Sequence, residues 1–204
     1  MAIITLPTTT GFRNASFGLD GADSLLEYFD GGVQVTAYAK ALWSFSFALP
    51  KTARANLSAW YGAIVQLSSL ANVFQAGPPG YTGPSSSYAG ATPLVNGGSQ
   101  IGATINVDGA TPSTLLFRAG DFFSFSAGGY SELKMVTADI TTTVSGSATV
   151  AFWPPIRIAP ANNAALQITS PITQFGFREP AARIDIDLML NGDLSIAAVE
   201  RFNP

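Results

Sequence analysis

The residues best placed to do chemistry are Asp185 and Asp187, in the stretch "RIDIDLML". They alternate with Ile184, Ile186 and Leu188, so on a strand both carboxylates point the same way. Two carboxylates on one strand face could serve glycoside hydrolysis or hold a cation. Arg183 shares that face, however, and an alternating polar face is the ordinary solvent or interface side of a strand. The structural reading is therefore preferred. A second acidic group, Asp20, Asp23 and Glu27 in "DGADSLLE", lacks the alternating spacing and the glycine of a calcium loop. The serine-rich stretches contain no G-x-S-x-G elbow. The "NGGSQIG" segment at 96–102 is neither a phosphate loop nor a dinucleotide fingerprint.

The 204 residues include no His and no Cys. The first absence removes the commonest general base and metal ligand. The second removes disulfides, thiolate zinc sites and cysteine nucleophiles. No catalytic site, metal or cofactor is expected. Trp43, Trp60 and Trp153 could stack on a sugar ring. Trp43 and Trp60 fall on apolar faces and are expected in the core, whereas Trp153, before Pro154-Pro155, is left open.

Charged residues make up 11% of the chain, against about 25% in average soluble proteins. Hydrophobic residues make up 47% and the net charge is −3. The surface must then be built of Ser, Thr, Asn, Gly and Ala, which protect poorly against association. A large assembly that hides much of the subunit surface explains this, as does a neutral carbohydrate-binding module. No Lys/Arg cluster exists, so no sequence-specific nucleic-acid partner is expected. The "MAIITLPTTTGF" start does not read as a signal peptide. No run approaches the roughly 20 apolar residues of a membrane span.

Any such face needs elements to hold it. "VQVTAYAKALWSFSFALP" alternates, with the odd residues Val33 to Phe47 expected in the core. Its even residues Gln34, Thr36, Tyr38 and Lys40 are left as candidate subunit contacts. The run can break near 39–41, and "LLEYF" is a possible partner strand across the "DGG" turn. After Pro50 the period changes. Leu57, Trp60, Tyr61, Ile64, Val65 and Leu67 form one helical stripe, with Thr52 as the N-cap. From 76 onward, Pro/Gly/Ser stretches and short apolar runs separated by glycine turns predict a small barrel or sandwich. In "FRAGDFFSFSAGGYSELKMV" the Ala119-Gly120-Asp121 turn precedes a hairpin whose phenylalanines fill that barrel. "ANNAALQITSP" is read as the way out. Two further strands follow, around an "NGD" turn at 191–193.

The order of "TTTGFRNASFGL", "GGVQVTAYAKALWSFSFALPK", "ANLSAWYGAIVQLSS", "RAGDFF…ELKMVTAD" and "ATVAFWPPIRIAP", closing on "LSIAAVERF", resembles the distal tail (Dit-like) proteins of long-tailed bacteriophages. The resemblance runs along nearly the whole chain. It implies a mainly β fold: a tail-tube-like β-sandwich or split barrel with one flanking α-helix, here with an inserted small β-barrel module. The tail-tube-like domain would comprise 1–83 and 169–204, and the module 84–168. The resemblance further implies a structural virion protein made in the bacterial host cytoplasm. It would form a ring, usually hexameric, at the distal end of the tail. Its partners would be copies of itself, the tail tube protein, the tail tip hub protein and the tape measure protein. The family's usual extra domain is C-terminal and galectin-like, unlike the module inserted here.

Overall fold

The structure is a computed structural model and describes residues 2–8, 11–21, 24–28, 31–36, 41–177, 185–186 and 191–202. It is mainly β with one helix among the described residues. In chain order the elements are β1 (Asn14–Asp20), β2 (Ser24–Glu27), β3 (Val33–Thr36), β4 (Leu42–Ala48), β5 (Thr52–Ala53), α1 (Arg54–Leu67) and β6 (Phe74–Ala76). There follow β7 (Leu94–Val95), β8 (Gly102–Asp108), β9 (Leu115–Phe117), β10 (Phe122–Ala127), β11 (Tyr130–Val136), β12 (Ile140–Thr141) and β13 (Ala148–Ile156). The chain closes with β14 (Thr173–Phe177), β15 (Asp185–Ile186), β16 (Asn191–Asp193) and β17 (Ser195–Glu200). It divides into two compact units, Met1–Gln75 with Phe175–Arg201, and Ala76–Gln174 with Phe202–Pro204.

The first unit is built on a five-stranded sheet in the order β1-β4-β17-β14-β6. Strand β4 obeys its period of two: Trp43, Phe45 and Phe47 are buried and the residues between them half-buried. The buried face carries an aromatic core in which Phe47 meets Trp60 of α1 at 5.8 Å and Phe45 meets Phe175 at 5.7 Å. Trp43 and Trp60 are thus core residues, as expected from their apolar faces. Helix α1 starts at Arg54, with Ala53 as its N-cap and no side-chain cap. The Thr52 cap is therefore a misreading: the Thr52 backbone is used in β5, opposite Gly192. The apolar stripe also needs correcting. Leu57, Trp60, Ile64 and Leu67 are buried, but Tyr61 and Val65 are each 51% exposed. An arc of positions 57, 60, 64 and 67 already fills the width that the sheet covers. "NGD" at 191–193 is not a turn but strand β16, paired on both sides, with β15 and β5.

The second unit holds a five-stranded sheet in the order β10-β11-β13-β8-β7. Phe117, Phe123, Phe125, Val150 and Phe152 are all buried in its core. The hairpin expected from the phenylalanine-rich stretch is β10 and β11, joined at Ala127 and Tyr130 through Gly128 and Gly129, both at positive φ. The segment read as a way out closes the sheet instead. On the β7 side, the Val95 N–H donates to Ala164 O at 2.9 Å and the Leu166 N–H to Pro93 O at 2.9 Å. On the β10 side, Ser124 and Gln167 exchange backbone bonds of 3.0 and 2.7 Å. Both edges of the sheet are thereby occupied, which removes the open edges a curled sheet would expose.

Candidate assembly surface

The candidate contact residues fall on a hairpin. Strands β2 and β3 pair antiparallel, Leu26 opposite Gln34 and Glu27 opposite Val33, so the "LLEYF" stretch does supply the partner strand. The turn is tied by the Tyr28 N–H donating to Gly32 O at 2.8 Å and the Gly31 N–H to Tyr28 O at 3.0 Å. Gly31 sits at φ 84°, which glycine adopts without a Cβ penalty. The Tyr28 hydroxyl donates to Gln34 Oε1. Gln34 is exposed, and its amide is the polar end of a face that also carries Leu26 and Tyr28. Only the backbone of Thr36 is described, and Tyr38 and Lys40 lie outside the described residues.

The hairpin is a sheet of two strands, and no other described strand joins it. Val33, expected in the core, is 56% exposed. The alternating pattern runs through 33–47, but only its second half enters the five-stranded sheet; β3 pairs with β2 alone. Leu26 and Tyr28 on one face and Val33 on the other are all exposed. A lone two-stranded hairpin is marginal in water, and this one leaves apolar side chains uncovered on both faces.

Two further surfaces of the first unit were not singled out in the sequence. Tyr61 and Val65, four residues apart on α1, form an exposed apolar ridge. Beyond Arg54 the helix carries no charge at all. On the sheet face away from the aromatic core, register brings together Ser16, Ser46 and Ala197, and next to them Ala48 and Ser195. Around Ser16, Ser46 and Ser195 that face carries small uncharged side chains, with a dip of about 90 Å³ between them. The signal for it was present in the sequence: Ser44 and Ser46 alternate with the buried aromatics. Only the pairing of β4 with both β1 and β17 turns the alternation into a surface.

Asp185 is described by its backbone alone, opposite Asp193, and Asp187 and Arg183 lie outside the described residues. Among the described residues, no three of His, Cys, Asp and Glu are grouped to hold a metal ion. Trp153 is 41% exposed on β13, after which the Trp153–Pro154 peptide is cis. Asp121 of "RAGDFF" and the charged pair of "ELKMV" are structural. Asp121 is buried and accepts the Arg118 N–H at 2.7 Å and the Ser85 N–H at 2.9 Å. One carboxylate thus fixes its own turn and a loop 36 residues earlier in the chain. No described helix is long and apolar enough to cross a membrane. No family model matches the chain, and no curated protein is significantly similar to it.

Proposed function

We propose that the chain is a structural virion protein that forms a ring at the distal end of a phage tail, joining the tail tube to the tip, with no catalytic step of its own. The observation that carries this reading is the β2–β3 hairpin, which exposes apolar side chains on both faces and is unattached to a larger sheet among the described residues. A second copy supplies what it lacks. The hairpin of one subunit lies against the next, and repetition closes the ring through a heterologous contact. Strand β1 is the outer strand of its sheet, and an outer strand is a template for pairing with another chain. The Ser/Ala patch of the sheet and helix α1, which carries no charge beyond Arg54, fit burial in such a ring, because little charge has to be desolvated. Tail tube, tip hub and tape measure proteins are the partners this role requires, and the virion is its location.

Light scattering after size-exclusion chromatography, with electron microscopy of the same fractions, tests the reading. A closed ring is the expected particle for a heterologous contact that closes, and the resemblance to distal tail proteins implies about six subunits in it. A chain that stays monomeric both alone and when mixed with tail tube and hub proteins would overturn it. Such a monomer that bound host polysaccharide would favour an adhesion module instead.

A further inference from the structure

The first unit segregates its charge along the chain. In the sequence, Asp20, Asp23, Glu27 and Asp30 lie within or next to the stretch that forms the β2–β3 hairpin, and no Lys or Arg occurs between Arg13 and Lys40. After Asp30 the next acidic residue is Asp108. The segment that holds α1 therefore contains Lys51 and Arg54 but no carboxylate. Spacing of three and four residues places Arg54, Ser58, Tyr61 and Val65 on one face of α1. That face is a stripe with a basic residue at one end and the exposed Tyr61 and Val65 further along. Lys51, also exposed, stands just before the basic end.

The hairpin carries the matching face. Glu27 is paired with Val33, and directly opposite residues of an antiparallel pair share a face. Both are exposed. Arg54 and Tyr61 stand about 10 Å apart along the helix. The roughly 5 Å between paired strand residues, added to the reach of a Glu and an Arg side chain, covers that distance when the strands cross the helix. Within one subunit the two faces do not cover each other, because Val33, Tyr61 and Val65 are all exposed. The other surfaces of the unit match the hairpin less well. Strand β1 ends on Asp20, which has the hairpin's own sign. The patch of Ser16, Ser46 and Ser195 offers neither a cation nor a large exposed apolar side chain.

We propose that the Glu27/Val33 face of the hairpin docks on the α1 stripe of the next copy, with Val33 against the Tyr61–Val65 ridge and Glu27 towards Arg54. The inference rests on the ring reading and adds to it the surface that receives the hairpin. Each subunit gives one hairpin and accepts another, which is the heterologous arrangement that a closed ring needs. Apolar contact holds the two surfaces together, and the opposite charges fix the direction in which the hairpin lies.

The chain has no Cys, so introduced cysteines report the contact without background. A disulfide needs its two Cα atoms within about 7 Å. The double variant V33C/Y61C, oxidised at ring-forming concentration, should give a ladder above the dimer on a non-reducing gel, because a heterologous contact links each subunit to two neighbours. V33C and Y61C alone should stop at the dimer. Charge reversal reads the ion pair. E27R and R54E should each raise the concentration for half-assembly about tenfold or more, and E27R/R54E together should bring it back, with the circular dichroism of the subunit unchanged. If the unaltered chain forms no ring under any condition, the ring reading fails and this docking falls with it. If rings form but V33C/Y61C stops at the dimer, or the double reversal assembles no better than the single ones, the docking is overturned and the ring reading stands. If Y61D/V65D leaves the rings intact and loses only the tail tube or hub protein, the stripe belongs to that partner, and the docking is again overturned.

Discussion

Lys134 Nζ donates to Glu132 Oε2 across 2.7 Å, with each side chain only 1% exposed. The two residues lie two apart on β11, so both face the barrel interior with Phe125 and Phe152. Lys134 also donates to Pro155 O at 2.8 Å and sits 5.8 and 5.9 Å from those two rings. Glu132 accepts the Arg157 N–H at 3.1 Å and the Ile158 N–H at 2.7 Å. The pair thus holds the chain after β13 against the barrel, which is a structural use of "ELK". Lys134→Met should destabilise the second unit by about 3–5 kcal/mol, because it leaves a buried carboxylate without its counter-charge. The double variant E132Q/K134M should recover part of that loss. Trp153, the one tryptophan in this unit, reports the change in urea unfolding.

Alkaline pH should reveal Tyr81. Its hydroxyl donates to Phe122 O at 2.9 Å. Burial, with the Asp121 carboxylate adding to it, pushes its pKa from 10.0 up to about 12. The folded value is above the unfolded one. The associated stability is therefore fully present below pH 10.0 and is lost as pH rises towards about 12. Tyrosinate absorbance should show one late-titrating tyrosine, absent in Tyr81→Phe. If all tyrosines ionise together while the protein is still folded, this assignment fails.

Gly146→Ala should be among the costliest small substitutions. Gly146 has φ 76°, and an added Cβ would lie 2.2 Å from the Ala110 carbonyl oxygen. The Ala110 N–H already donates to Gly146 O at 3.1 Å, so the two backbones are held together. A left-handed conformation and a backbone clash act in the same direction, and the loss should exceed about 1 kcal/mol. Gly129→Ala, also at positive φ but with open space around it, should cost less. Thermal melting of the two variants side by side measures the difference.

The paired substitution L26D/V33D should separate assembly from folding. Both residues are exposed, so the stability of the single subunit should change by no more than about 0.5 kcal/mol. Ring formation should be lost, because a charge would have to be buried on each face of the hairpin. Light scattering and circular dichroism on the same samples read the two effects. An intact ring with both aspartates in place would move the joint away from the hairpin.

Much of the local structure was legible in the sequence, because it depends on period and turn chemistry alone. The alternation of Trp43, Phe45 and Phe47 with serines defined a half-buried strand. Leu57, Trp60 and Ile64 defined the helix, and Gly128-Gly129 between two apolar runs defined the hairpin. Residue types alone removed histidine and cysteine chemistry. What the sequence could not determine is pairing between segments far apart. Nothing in "VQVT" says that it leaves the sheet its pattern continues into, yet pairing with β2 exposes Val33 and creates the candidate joint. Nothing in "ANNAALQ" says that Gln167 meets Ser124 while Ala165 turns to Leu94, although this choice covers part of both edges of the sheet. Side-chain period is a property of neighbours along the chain. Which edge a strand joins is decided by the burial and hydrogen bonding of the whole unit, and both candidate surfaces arise at that level.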